Sequence, residues 1–282
     1  MTKTIAFQGE AGAYSDMAAQ EAVPGCITTA CPSFDAAFAA VRTGDADLAT
    51  IPVDNTVAGR VADVHHLMPQ GDLYIVGEWF LPVQHCLLGL KGTTLKDLRH
   101  VHSHAHAIPQ CRKRINSLGL VPHIHADTAG AARQVAQQAD PAHGAIASAL
   151  AARIYGLDIL VEGLQDAAHN TTRFLMLSRE PDMPDPDSGP LITTLIFEIR
   201  NIPAALYKAL GGFATNGLSL AKLESYVDEN FQAARFYCDV EGHPETPPFR
   251  RAIEELGFFA RDVTFLGTYP AHPFRQKGAG GA

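Results

Sequence analysis

The stretch "EPDMPDPDSGP", residues 180 to 190, sets the first limit on the fold. Prolines alternate with acids there and leave almost no apolar side chain to anchor a core, so the segment reads as an exposed linker. A chain of 282 residues can form two units that each bury a core. The break divides it into residues 1–180, a linker at 181–190, a second region at 191–272 and a tail at 273–282. The tail ends in "RQKGAGGA", which has no core-forming residue and is expected to be disordered.

Before the linker, strands and helices alternate. "TIAFQG" has the form of a short buried strand ended by Gly9, and Ser15 is placed to cap the helix "DMAAQEA". Ser33 is placed to cap the next helix, where Phe34, Ala37, Phe38 and Val41 form one apolar stripe. Further strands are "ADLATIPV", "LYIVGEWFLPV", "HCLLGL", "HVHSH", "GAIAS" and "TTRFLML"; further helices are "VADVHHLM" and segments near 108–118, 128–138 and 148–155. The alternation predicts an α/β fold with largely parallel sheets and ligand sites at the carboxyl ends of strands. Two lobes with a cleft between them suit the length.

After the linker the order is strand "LITTLIFEI", helix "PAALYKALGGFATNG", strands "SLAKLESYV" and "FQAARFYCDV", helix "PFRRAIEEL" ended by Gly257, and strand "RDVTFLGTY". Pro203 near the start of the first helix and Gly217 at its stop mark its bounds. In the third strand Ala234, Phe236, Cys238 and Val240 share one face, and Arg235, Tyr237 and Asp239 the other. The βαββαβ order is that of a ferredoxin-like unit.

A formal charge of -8 argues against nucleic acid or an anionic membrane as partner. Five cysteines, odd in number and without CxxC spacing, point to reduced thiols. No signal peptide or bilayer-spanning apolar run is present, so a cytoplasmic protein is expected.

Several short motifs carry possible chemistry. "FQGEAGAYS" lacks GxGxxG and GK[ST], which excludes the usual nucleotide loops; it is either a turn that needs glycine or a carboxylate cradle near Ser15. His100, His102, His104 and His106 alternate, with His123 and His125 downstream, so several share a strand face. No HExxH or Cys/His spacing accompanies them, and no metal is expected, with His104 near a cleft. "IPVDNTVAG" sets Asp54, Asn55 and Thr56 after an apolar strand, and "HNTTRF" gathers hydrogen-bonding groups at a strand entry. Each is explained by ordinary turn chemistry or by a site at the end of a strand.

Taken in order, "FQGEAGAYS", "VDNTVAGRVADV", "HCLL", "SHAHAIPQC", "NTTRF" and the βαββαβ tail resemble prephenate dehydratase with a C-terminal ACT regulatory domain, over roughly residues 4 to 270. The resemblance implies a two-lobed catalytic region like a periplasmic binding protein, followed by the ACT unit. It implies cofactor-free conversion of prephenate to phenylpyruvate, water and carbon dioxide on the route to phenylalanine. The family's threonine-arginine-phenylalanine motif falls on Thr172, Arg173 and Phe174, with the threonine essential. Its glutamate-asparagine pair falls on Asp54 and Asn55, and its glutamine on Gln110, while Ala105 and His106 depart from the family pattern. Thr172 and Asn55 are thus the expected catalytic residues, and Ser15, Asp54, Gln110, Arg173 and Phe174 the expected substrate contacts. A regular strand puts Thr172 and Phe174 on one side and Thr171 and Arg173 on the other, so Arg173 reaches a cleft only through a turn or twist.

The family's phenylalanine site, between paired ACT domains, falls on Ala204, Ala205 and Leu206 and on Glu224, Ser225, Tyr226 and Val227, the last two departing from its pattern. Feedback by L-phenylalanine and a homodimer or homotetramer follow from the resemblance. With the chain opening on its first strand, no second catalytic domain such as a chorismate mutase is expected. The rival readings are arogenate dehydratase, which takes the amino analogue, a non-catalytic amino-acid sensor, and a zinc hydrolase built on the histidines.

Overall fold

The computed structural model describes residues 2–61, 64, 67, 68, 73–167, 169–227 and 233–278. The chain forms two compact units, residues 1–65 with 79–175 and residues 66–78 with 176–282. The first begins with β1 (Thr4–Gln8), α1 (Tyr14–Ala22), β2 (Ile27–Cys31), α2 (Phe34–Thr43) and β3 (Leu48–Asn55). β1 pairs in parallel with β2 and β3, and Ile5, Ala6 and Phe7 are buried, as a strand covered on both faces requires. Ser33 caps α2 by accepting from the Ala36 N–H, and Ala37, Phe38 and Val41 are buried as their spacing predicts. The short β4 (Gly59–Arg60) folds back on β3. With β5 (Tyr74–Pro82) and β11 (Thr171–Ser178), which carry residues of both units, the sheet order is β2-β1-β3-β11-β5. The helix expected at 61–68 falls largely outside the described residues.

A second sheet has the order β10-β6-β9-β7-β8, built from β6 (Cys86–Gly89), β7 (His100–His104), β8 (Val121–His125), β9 (His143–Ala147) and β10 (Asp158–Val161). Its helices are α3 (Ala107–Gln110), α4 (Arg112–Ser117), α5 (Thr128–Gln138) and α6 (Ala149–Tyr155). Ala129, Ala132 and Val135 of α5 pack with Leu88, Ala145 and Ala147, while Cys111 and Ile115 pack with Leu87, Val101 and Ile146. The sheets are mixed rather than largely parallel: β6 runs antiparallel to both β9 and β10. Strands β2 and β8 escape the sequence pattern because they are edges with exposed apolar residues, Ile27 at 59% and Ile124 at 77%.

The second unit follows the expected βαββαβ order: β12 (Leu191–Ile199), α7 (Ala205–Thr215), β13 (Leu220–Val227), β14 (Ala233–Glu241), α8 (Pro247–Phe259) and β15 (Ala260–Pro270). The antiparallel sheet has the order β13-β14-β12-β15. Leu195, Phe197, Phe236, Cys238 and Val240 face Ala209 and Phe213 of α7 and Phe249, Ala252 and Leu256 of α8. Helix α8 continues past Gly257 to Phe259, because Ala252 and Leu256 keep it seated on the sheet. On the opposite face Gly267 meets the backbone of Ile75, whose nitrogen would lie 3.0 Å from a Cβ placed there; any side chain would separate the two strands.

The tail departs from expectation. Residues Pro273–Gly278 form α9, and Arg275 binds Glu78 with two hydrogen bonds of 2.6 and 2.8 Å while reaching Asp239 at 3.4 Å. Both carboxylates have fully buried side chains, and Thr194 donates to Asp239 at 2.7 Å. Composition concealed this, because the segment is held by polar contacts to Glu78, from the bidentate Arg275 and from the His272 N–H at 3.1 Å. Arg275→Met is expected to lower unfolding free energy by about 3 kcal/mol or more, since a buried carboxylate loses a cation. Arg261→Met, at the exposed ion pair with Glu198, is expected to change it by less than about 1 kcal/mol. Urea titration of the two variants checks the contrast.

Candidate active site

Within the first unit a cavity of about 550 Å³ is lined by Ser15, Asn55, His104, Gln110, Thr172 and Phe174 among others. Adjacency of β3 and β11 brings its polar wall together. The C-terminal end of β3 delivers Asn55 beside the start of β11, which carries Thr172, with Asn170 just before it. Asn55 Nδ2 donates to Thr172 Oγ1 at 2.9 Å and to Asn170 Oδ1 at 2.7 Å. Asn55 Oδ1 accepts from the backbone N–H groups of Val57 and Ala58 at 2.9 and 2.7 Å. Those two amides fix which end of the Asn55 side chain is oxygen, so Thr172 Oγ1 receives a hydrogen bond. The threonine's own proton is thereby available to another acceptor.

Alternation along β11 works as its period requires. Thr172 and Phe174 line the cavity, whereas Arg173, although buried, does not. Its Nη1 lies 3.7 Å from Asp54 Oδ2, and Asp54 is also absent from the cavity wall. Arg173 and Asp54, expected as substrate contacts, lie at adjacent strand ends outside the cavity lining, where their opposite charges pair.

The glycine-rich loop supplies the facing wall. Gly12 has φ of +88°, and a Cβ there would come within 2.8 Å of Ala151 Cα, so glycine is needed both for the turn and for close approach to α6. Ser15 does not cap α1. Ala13 holds the N-cap position without a side-chain bond, and Ser15 lies buried in the first turn on the cavity wall. The same first turn carries the buried Asp16, whose Oδ2 accepts from the Gly12 N–H at 2.8 Å.

The alternating histidines form a stacked array rather than a converging one. His102 stands beside His123, His104 beside His125 and His100 beside His143 in strand register. His102 Nε2 lies 2.8 Å from His143 Nδ1, and His123 Nε2 lies 3.0 Å from His100 Nδ1. Among the described residues, no group of three or more His, Cys, Asp or Glu could hold a metal ion. Burial and then the neighbouring His106 hold the His104 imidazole below its ordinary range.

Ala205 is buried at the start of α7, after Ala204 with φ of 60°, and Leu206 packs against the core of the second unit. Glu224 lies 3.4 Å from Lys222 on β13, the edge strand that also carries Ser225. Among the residues that the sequence left unassigned, Tyr14 and His85 line the cavity, and Asn170 bonds to two residues that do, Asn55 and Gln110. Each stands inside a stretch already singled out, "HNTTRF", "HCLL" and "GEAGAYS", but only the hydrogen bonds reveal their connection.

Residues 5–182 match the family profile described as prephenate dehydratase. The bifunctional N-acyl-homoserine lactone acylase/prephenate dehydratase of Komagataeibacter europaeus is 51% identical over 277 residues, covering 98% of each chain. Arogenate dehydratase/prephenate dehydratase 1, chloroplastic, of Arabidopsis thaliana is 41% identical, over 94% of this chain and 71% of that protein. The solved prephenate dehydratase of Arthrobacter aurescens in complex with L-Phe superposes with a TM-score of 0.86 at 27% identity, covering 95% of this chain and 90% of that one. No helix among the described residues is long and apolar enough to cross a membrane. With a matching profile over more than half its length, and with relatives matched along nearly all of it, the chain belongs to the prephenate dehydratase family.

Proposed function

We propose that the protein converts prephenate to phenylpyruvate, a decarboxylating dehydration performed without a cofactor. The observation that carries this is the Asn55-to-Thr172 hydrogen bond inside a cavity, which leaves the threonine O–H to be donated. In prephenate a ring hydroxyl stands opposite a quaternary carbon bearing a carboxylate. The carbon–carboxylate electron pair enters the ring, the carbon–oxygen bond breaks, and carbon dioxide and hydroxide leave an aromatic product. One proton is taken up from solution to make water. Thr172 strengthens its hydrogen bond as negative charge builds on the departing oxygen, and an interaction of that kind favours the transition state over the substrate. A threonine is too weak an acid to protonate a ground-state alcohol, so donation is concerted with bond cleavage.

Asn55 positions Thr172. Ser15 and the amide of Gln110 receive the carboxylates, and Phe174 packs against the ring. Relatives named for arogenate and for prephenate both match the chain, so prephenate and arogenate are both assayed. Product formation above the enzyme-free rate with either supports the dehydratase, and its absence with both returns the protein to an amino-acid sensor. The acylase activity in the name of the Komagataeibacter relative is a second reading, favoured by 51% identity along 98% of both chains. Among the described residues no carboxylate or imidazole is hydrogen-bonded to Thr172 to activate it as a nucleophile. Release of homoserine lactone from an N-acyl-homoserine lactone tests that reading.

The βαββαβ unit is proposed as an ACT domain that binds L-phenylalanine near Ala205, Leu206, Glu224 and Ser225. Support comes from the Arthrobacter structure, named as a complex with L-Phe. A homodimer or homotetramer follows, consistent with Tyr207 and Phe258 exposed at 80% and 71%. Five free cysteines support a cytoplasmic location. Titration calorimetry is expected to show saturable heat with L-phenylalanine, and a flat trace at millimolar ligand would end the regulatory reading.

A further inference from the structure

The hydrogen bonds beyond Asn55 have donor directions that follow one from another. Asn170 Oδ1 accepts from Asn55, so Asn170 Nδ2 is the atom that donates to Gln110 Oε1, at 2.6 Å. The same Gln110 oxygen lies 3.3 Å from His85 Nε2, a contact that is attractive only if that nitrogen carries hydrogen. His85 Nδ1 lies 2.9 Å from the Tyr14 hydroxyl, which also bonds to the Gln84 carbonyl at 2.9 Å. A neutral ring protonated at Nε2 leaves Nδ1 as an acceptor facing the Tyr14 hydroxyl, whose single proton is shared between that nitrogen and the Gln84 carbonyl.

The surroundings favour that neutral form. His85 is buried, and desolvation lowers its pKa to about 4 against the opposing effect of Gln110. Desolvation also holds the Tyr14 phenol well above its ordinary value, so it remains an O–H donor. With Gln110 Oε1 held by both Asn170 and His85, its amide nitrogen makes no hydrogen bond among the described residues. It is the part of the side chain available to the cavity that Gln110 lines.

We infer that His85 is a positioning residue: its Nε2–H, backed by Tyr14, holds the Gln110 amide with its N–H groups toward the cavity, where they donate to a substrate carboxylate. This rests on the reading of the cavity as a dehydratase site. Amides do not relay protons, so the chain Tyr14–His85–Gln110–Asn170–Asn55–Thr172 sets orientation only, and the proton consumed in the reaction enters from the cavity side.

The test is a double-mutant cycle on phenylpyruvate formation. His85→Leu is expected to raise KM about 10-fold with a much smaller change in kcat, the scale of one oriented hydrogen bond. His85→Gln, which keeps an N–H donor, is expected to recover most of that loss. In a Gln110→Ala background His85→Leu is expected to add nothing. Equal losses in the leucine and glutamine variants, or additive losses in the cycle, overturn the inference.

Nitrogen NMR of the parent provides a readout independent of turnover. It is expected to show His85 neutral and protonated at Nε2 from neutral pH down to about pH 5, given a pKa of about 4. The Nδ1–H tautomer, or an imidazolium at neutral pH, overturns the inference even in a protein inactive on both substrates. Inactivity with the expected tautomer removes the proposed reaction and leaves the positioning of Gln110 standing.

Discussion

Thr172→Ala will lower kcat for phenylpyruvate formation by roughly 10²- to 10³-fold, the range measured for loss of one preorganised donor to a developing oxyanion. KM will move far less, because the hydroxyl acts on charge that exists only as the carbon–oxygen bond breaks. Thr172→Ser will retain a large part of the rate, since serine keeps an oxygen that can receive the Asn55 N–H and donate its own proton. The comparison is made near neutral pH with an enzyme-free blank, because prephenate aromatises unaided in acid. A kcat unchanged in the alanine variant would remove Thr172 from the chemistry and leave Asn55 without the role assigned to it. Asn55→Asp would be harmful for a different reason. Its oxygens could still accept from Val57 and Ala58 but could not donate to Thr172, whose proton would turn toward the carboxylate.

The second large effect is acid destabilisation through two histidines. His85 is pulled down to about 4 by burial, and His102 to about 4 by burial first and then by the neighbouring His123, His143, His100 and His125. In the unfolded chain each titrates near 6.5. Between those values the unfolded state binds more protons than the folded one, so stability falls as the pH drops from about 6.5 toward about 4, and levels off for these groups below that. His85 contributes roughly 3 kcal/mol over the window as an upper figure, and His102, whose shift is partly screened by solvent, contributes less. Urea midpoints measured at pH 7.5 and pH 4.5 should therefore differ strongly, and His102→Gln should flatten the dependence. Equal midpoints at the two pH values would show that the histidine array charges freely in the folded protein.

The βαββαβ order and the cap at Ser33 were legible in the sequence, and so was the alternation along β11. They are local properties: a two-residue or 3.6-residue period or a capping hydroxyl acts over a few positions. The alternation of "TTRF" set Thr172 and Phe174 on one side and Arg173 on the other, although the family resemblance kept Arg173 among the expected substrate contacts. The ordered motifs also pointed to Asn55, Ser15 and Gln110, all of which line the cavity.

What the sequence left open depends on contacts between distant positions. Asn55 and Asn170 are 115 residues apart, and Gln110 and Asn170 are 60 apart; strand adjacency and loop placement bring them into one chain of hydrogen bonds. The pairing of Asp54 with Arg173, the reversal of β6 in a mixed sheet and the seating of the tail by Arg275 on Glu78 were likewise decided by tertiary structure. Local pattern specifies which face a side chain occupies. Its partner is chosen by loop closure and burial, which make an unpaired donor or charge unfavourable wherever the folded chain removes it from water.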